Sequence, residues 1–190
     1  MFEPISKKEY LKALEGNIPD RLVDYENIII PIRSTYNSAG YDIYSPYKDP
    51  FRMEPGQTYI IPTLLKADLY DADMPMELPN PMNTREAAYG SNWHFDANFD
   101  NKFLALYPRS SFGFKYGFQL LNTTGIIDAD YYNNSDNEGH IMVGCKVEKE
   151  CVINPGDKFC QAILQPFLSF KYEDRSKMNQ RSGGMGSTGA

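Results

Sequence analysis

A chain of 190 residues has the size of one domain with a single sizeable core. Its formal net charge of −6 and pI near 5.0 exclude the basic face needed to bind nucleic acid along its backbone, so any anion held must be small and met by local cations, backbone N–H groups or a divalent metal. Three cysteines without a C-x-x-C pair and two distant histidines, His94 and His140, argue against a zinc cluster, and the lack of a basic-then-apolar leader or an apolar run of about eighteen residues predicts a reduced, cytoplasmic protein with no membrane partner.

Ser6-Lys7-Lys8-Glu9 has the form of a capping box, in which serine hydroxyl and glutamate carboxylate each take one of the unpaired N–H groups at a helix start. Tyr10, Leu11 and Leu14 continue it as an apolar stripe and Gly16 can end it, which predicts a short N-terminal helix. From Glu26 the texture changes to brief apolar runs broken by Pro, Gly, Asn and Asp. The runs Asn27 to Ile32, Tyr59 to Ile61, Leu64 to Leu69, Phe103 to Tyr107 and Phe118 to Leu121 predict strands, as do the alternation of Ile141, Val143, Cys145 and Val147 and the longer run Phe159 to Leu168. Short, mostly antiparallel strands at this spacing predict an all-β sandwich, jelly roll or barrel rather than strand–helix alternation. Tyr70 to Asn101, with Pro75, Pro79, Asn80, Pro81 and Asn83 ahead of Trp93, His94 and Phe95, reads as a long surface excursion. The expected organisation is a β domain over residues 1–171 followed by a flexible tail, 172–190, almost without apolar side chains. Cys145, Cys151 and Cys160 are expected to pack as small apolar groups.

Between these elements lie the residue types that suit a phosphate chain beside a base. Pro108-Arg109-Ser110-Ser111-Phe112-Gly113-Phe114-Lys115 supplies a guanidinium and hydroxyls, and Gln161 an amide, all able to donate to phosphate oxygens. Gly125-Ile126-Ile127-Asp128-Ala129-Asp130-Tyr131 sets Asp128 among apolar neighbours, where a carboxylate can take a proton from water; the plainer reading is a solvated turn aspartate. Asn122 offers an amide that both donates and accepts, or merely shapes its loop. Asp42 and Asp157 lie just after glycines and read equally well as turn residues.

Five segments in order resemble the five motifs of the trimeric dUTP pyrophosphatases, the dUTPases: Ala39 to Ser45, Pro108 to Lys115, Gly125 to Tyr131, Gly156 to Gln161, and Arg181 to Gly189. The resemblance implies a jelly-roll-like subunit, a homotrimer with active sites between subunits, magnesium, and cleavage of dUTP to dUMP and pyrophosphate, which keeps uracil out of DNA and supplies dUMP. It implies that Asp128 orients the water attacking the α-phosphorus, and that Tyr131 packs under the sugar and leaves no room for a 2′-hydroxyl. Asn122, with backbone at Gly125 and around Met142, would read uracil. Ser110 and Gln161 would touch the phosphates with Arg109 and Ser111 beside them, and Asp42 would hold magnesium through water. Arg181 and the following glycines resemble a flap over the triphosphate, with the arginine on the γ-phosphate and Gly186 and Ser187 adding donors. Met185 stands where that family usually has a phenylalanine over the base, giving a softer thioether contact. Both Tyr70 to Asn101 and Tyr132 to Glu138 are longer than in that family. Two other readings remain: a dCTP deaminase-like enzyme, although Ile141-Met142-Val143 lacks the glutamate of that family's Thr-Leu-Glu, and a dUTPase-like regulatory protein whose insertions capture a partner.

Overall fold

The computed structural model describes residues 1–16, 21–69, 102–167, 177, 178, 181 and 183. Eleven strands and two helices run through these residues in the order β1 (Phe2–Pro4), α1 (Lys7–Glu15), β2 (Tyr41–Tyr44), β3 (Phe51–Met53), β4 (Thr58–Pro62), β5 (Leu65–Ala67), β6 (Lys102–Pro108), α2 (Ser110–Tyr116), β7 (Gln119–Leu120), β8 (Gly125–Asp128), β9 (Met142–Lys146), β10 (Cys151–Ile153) and β11 (Lys158–Pro166). The expected excursion Tyr70 to Asn101 lies outside the described residues, as does most of the tail.

The strands pair antiparallel throughout, in a four-stranded sheet β2-β11-β6-β8, a three-stranded sheet β4-β9-β7, and two pairs, β1-β5 and β10-β3. Alternation decides which faces are buried. Leu104, Leu106 and Ala162 turn inward from the four-stranded sheet and meet Ile61, Leu120, Val143 and Cys145 of the three-stranded one in a single core, so the all-β sandwich expected from strand spacing is what forms. A bulge between Lys158 and Cys160 on β11 sends both Phe159 and Cys160 into that core. The three cysteines are free and buried, and burial pushes the thiols of Cys145 and Cys160 up to about 12 and that of Cys151 to about 11. They remain neutral and pack as apolar groups.

Two local expectations change. Asn27 to Ile32 forms no strand: Tyr25–Asn27 is a 3-10 turn, and Ile29, Ile30 and Ile32 are exposed. Pro31 removes a ladder donor from the middle of the run, and only Asp42 N–H to Ile32 O and the Arg33–Tyr41 bridge tie the segment to β2. Conversely, Ser110–Tyr116 is a helix that the residues do not announce, ended by Gly117 in the left-handed conformation (φ 62°), whose N–H donates to Gly113 O at 2.9 Å. Packing secures it: Phe112 is buried and meets Phe118 edge-on at 6.0 Å.

The capping box at α1 forms by half. Ser6 Oγ accepts from Glu9 N–H at 3.2 Å, but Ser6 N–H donates to Glu138 Oε2 at 3.1 Å rather than to Glu9, and the Ser6 hydroxyl donates to Glu138 as well. Glu9 is buried and pairs instead with Lys12 at 2.8 Å. The segment Tyr132 to Glu138 therefore caps the first helix across more than a hundred residues of sequence. The Ser6 hydroxyl, ahead of the Lys66 and Lys12 charges, holds the Glu138 carboxyl below its usual value despite partial burial. Its contribution is therefore complete at neutral pH and is lost as pH falls below the carboxylate range. Glu138→Ala is expected to cost about 1 kcal/mol, as lost caps do, read as a lower Tm at pH 7 and no difference from the unaltered chain in acid. An unchanged Tm at pH 7 would remove the cap from the stability account.

Candidate active site

Strand β11 runs between β2 and β6 and sets Gln161 opposite both Asp42 and Tyr107. Gly40 allows this closeness: a Cβ there would stand 2.6 Å from Gln161 Oε1. Past Tyr107 the chain leaves β6, Arg109 N–H donates to Phe159 O at 3.1 Å, and the Arg109 guanidinium turns back onto Asp42 Oδ1. Asp42 is only 1% exposed, and its other oxygen takes Lys158 Nζ at 2.9 Å and the Ser34 hydroxyl. Burial alone would raise the Asp42 pKa, but Ser34, Lys158 and Arg109 together outweigh it and hold the carboxyl below the usual range. The same contact, mainly the hydrogen bond to Asp42, raises the Lys158 pKa. Neither Ser34 nor Lys158 was a site candidate from sequence; Lys158 sits inside a recognised motif, whereas nothing local marks Ser34.

Arg109, Ser110 and Gln161 line an open cleft of about 540 Å³ together with Tyr107, Phe114 and Ile163. Ser111 parts from Ser110: it borders a separate concavity of about 250 Å³ with Lys115, Asn154 and Asp157, on the other side of α2. Asp157 is a turn residue there, accepting Asn154 N–H at 2.8 Å.

The remaining expected site residues gather elsewhere. Asp128 ends β8 opposite Phe103, four residues along β6 from Tyr107, which at ~3.3 Å per residue separates the two groups by about 13 Å along the strand, to which the spacing of β8 and β11 on either side of β6 adds. Arg181 closes on this end, with Nη2 2.6 Å from Asp128 Oδ2, Nε 2.9 Å from Asp130 Oδ1, and its guanidinium 5.5 Å from the Tyr131 ring centre. Tyr131 is buried, and its hydroxyl donates to His140 O at 3.0 Å. Gly125 lies against Leu106, where a Cβ would meet that side chain at 3.0 Å. Leu121 N–H donates to Gly144 O at 2.9 Å, so Asn122, exposed in the turn before β8, and Met142, at the start of β9, lie toward one end of the β7–β9 pair. Met185, Gly186 and Ser187 lie outside the described residues.

Gln161 and Asp128 lie on one face of the four-stranded sheet, because their partners Tyr107 and Phe103, four apart on β6, share a face. That outward face carries Ile126, which is 52% exposed, and Ile163 between its two ends. Among the described residues no cluster of three or more His, Cys, Asp or Glu could hold a metal ion, and no helix is long and apolar enough to cross a membrane.

The dUTPase family model matches residues 101–189. The chain is 36% identical over 170 residues to a deoxyuridine 5′-triphosphate nucleotidohydrolase of Lactococcus lactis subsp. lactis (strain IL1403), an alignment covering 87% of this chain and 93% of that one. The crystal structure of the dUTPase from Streptococcus mutans superposes with a TM-score of 0.55 at 28% identity, over 90% of this chain and 98% of its own. A mutant dUTPase from phage phi11 of S. aureus, whose structure details the coordination of a structural Mg(II) ion, matches with a TM-score of 0.50 over 81% of this chain and 93% of its own; at 19% identity this is a likeness of fold.

Proposed function

Because the chain belongs to the dUTPase family, we propose that it hydrolyses dUTP to dUMP and pyrophosphate in sites completed between copies of the chain. The observation that supports shared sites is the separation along β6. Phosphate donors at one end and the Asp128 carboxylate at the other, about 13 Å away along the strand alone, are too far apart to serve one α-phosphorus, since attack needs groups within hydrogen-bond reach of the water and the phosphate. A second copy docked on the outward face, with its exposed Ile126, would bring the Asp128 end of one chain to the Arg109 end of another. Such a contact joins two different patches, and head-to-tail contacts of this kind form a ring when the rotation between copies closes and an open filament when it does not. A homotrimer is the smallest ring beyond a pair and is the assembly the family resemblance implies.

In this reading Asp128 orients a water molecule and accepts its proton as the oxygen attacks the α-phosphorus, and the bond to the bridging oxygen breaks to release pyrophosphate. Arg109, Ser110 and Gln161 donate to the phosphate oxygens, where charge builds. Tyr131 forms the floor under the deoxyribose, and Asn122 with the backbone near Gly125 and Met142 reads the uracil edge. Ser111 drops out of the phosphate set, because it faces away across α2. Arg181 occupies one oxygen of Asp128 and weakens it as a base, so it must release the carboxylate before a proton can be taken from water, and a triphosphate offers its guanidinium a more highly charged partner. Gly186, Ser187 and the softer Met185 would follow Arg181 over the nucleotide.

Asp42 does not suit magnesium, since one oxygen is taken by Arg109 and the other by Lys158 and Ser34, and two cations beside it oppose a third. The ion fits the nucleotide better: magnesium favours phosphate oxygens and water, and would offset phosphate charge there.

Pyrophosphate release from dUTP, dCTP, dTTP and UTP, compared with magnesium present, tests the substrate. Turnover of dUTP should exceed that of dCTP by about 10⁴-fold, because a buried edge committed to uracil leaves polar groups unmatched by cytosine. Mixing separately inactive Asp128→Asn and Gln161→Ala chains tests the shared site: co-assembled chains should regain dUTP turnover, and failure to regain it would confine each site to one chain.

A further inference from the structure

The segment Tyr132 to Glu138 holds Tyr131 from behind. Asn137 Nδ2 donates to the Tyr131 hydroxyl at 2.8 Å, while that hydroxyl donates to His140 O at 3.0 Å, so both hydrogen-bonding directions of the phenol are used. The amide that does this is itself fixed. Asn137 Oδ1 accepts Asn134 Nδ2 at 2.9 Å and Gly139 N–H at 3.1 Å, and Asn134, buried, accepts the N–H groups of Asp136 and Asn137 at 3.1 Å each and donates to Tyr131 O at 2.8 Å. Gly139 closes the loop at φ 82°, where a Cβ would lie 2.6 Å from Tyr131 O. At its far end the loop is anchored through Glu138 to Ser6. A ring gripped at its hydroxyl and at its own carbonyl cannot tilt aside.

Resting on the dUTPase reading above, we propose that Asn137 is a positioning residue for sugar selection: by clamping the Tyr131 hydroxyl it keeps the ring at the height that excludes a ribose 2′-hydroxyl. Its effect is therefore on the choice between dUTP and UTP rather than on the chemical step.

Asn137→Asp is the informative variant, because it keeps the acceptor that takes Gly139 N–H but offers Tyr131 no donor. The measured quantity is the ratio of kcat/KM for dUTP to that for UTP, with kcat for dUTP and Tm alongside. The ratio is expected to fall about three- to ten-fold, the worth of one neutral hydrogen bond, through a lower KM for UTP with kcat for dUTP retained. Tyr131→Phe removes the same bond from the other end and covers the case in which Asn137→Asp fails to fold; it should lower the ratio too, and the double variant should lower it no further than the larger single effect. An unchanged ratio in Tyr131→Phe, or a Tm loss without a change of ratio in Asn137→Asp, would overturn the role. The unaltered chain separates the two levels: no dUTP turnover there removes the reading beneath the inference, whereas normal turnover with an unmoved ratio removes Asn137 alone.

Discussion

Asp128→Asn is expected to leave a chain that folds and binds dUTP but hydrolyses it about 10²- to 10⁴-fold more slowly, the usual effect of removing a general base. The substitution keeps size and an oxygen that can still accept from Arg181, and removes the group that takes the proton. Folding should hardly notice, because the Asp128 side chain is 47% exposed at the end of β8 and exposed changes of this kind stay within about 0.5 kcal/mol. Single-turnover hydrolysis and the Kd of a non-hydrolysable dUTP analogue separate the two effects. A near-normal rate would end the assignment of Asp128. A slow rate with lost binding would make it a nucleotide contact instead.

Asp42→Ala should act in the opposite order, first on stability and then on the site. It leaves the Arg109 guanidinium and the Lys158 ammonium facing each other without the carboxylate that joins them. Breaking a buried pair by removing one partner typically costs 3–5 kcal/mol; here Arg109 and Lys158 are 33% and 35% exposed, so water meets part of the loss and about 3 kcal/mol is expected. That is a large share of the ~5–15 kcal/mol that holds a domain together. The pH dependence has a definite sign. Because the folded pKa of Asp42 is lowered, its contribution is present above the usual carboxylate range and is lost as pH falls through the folded value. Urea unfolding should show the unaltered chain losing stability in acid and Asp42→Ala losing less. Once released, Arg109 should also raise KM for dUTP. A variant with full stability at neutral pH would show that the Asp42 cluster is an ornament of the cleft rather than its frame.

Much of the fold was legible where one local signal agreed with its neighbours. The alternation through Ile141, Val143 and Cys145 became β9, and the run after Lys158 became the central strand β11. Where a segment held only three residues, as in β1, β3 and β10, there was no period to read, and pairing across the sequence made the strand. The run Asn27 to Ile32 misled because its apolar content was counted and the missing donor of Pro31 was not. Helix α2 was hidden because Gly113 and its aromatic residues have poor helix propensity; the packing of Phe112 overrides it.

The site divides in the same way. The sequence by itself determined which residues have the chemical character suited to a phosphate chain and a general base, Arg109, Ser110, Gln161 and Asp128 among them, because donors and carboxylates are chemical types and short motifs preserve their spacing. Only the tertiary structure decided their grouping. It set Ser111 apart from Ser110, assembled Ser34 and Lys158 around Asp42, placed Asp128 and Gln161 at opposite ends of β6, and put Asn137 against Tyr131. The physical reason is that strand register is fixed by which faces become buried, a choice made between segments far apart in the chain, so distances across the sheet leave no trace in the spacing along it.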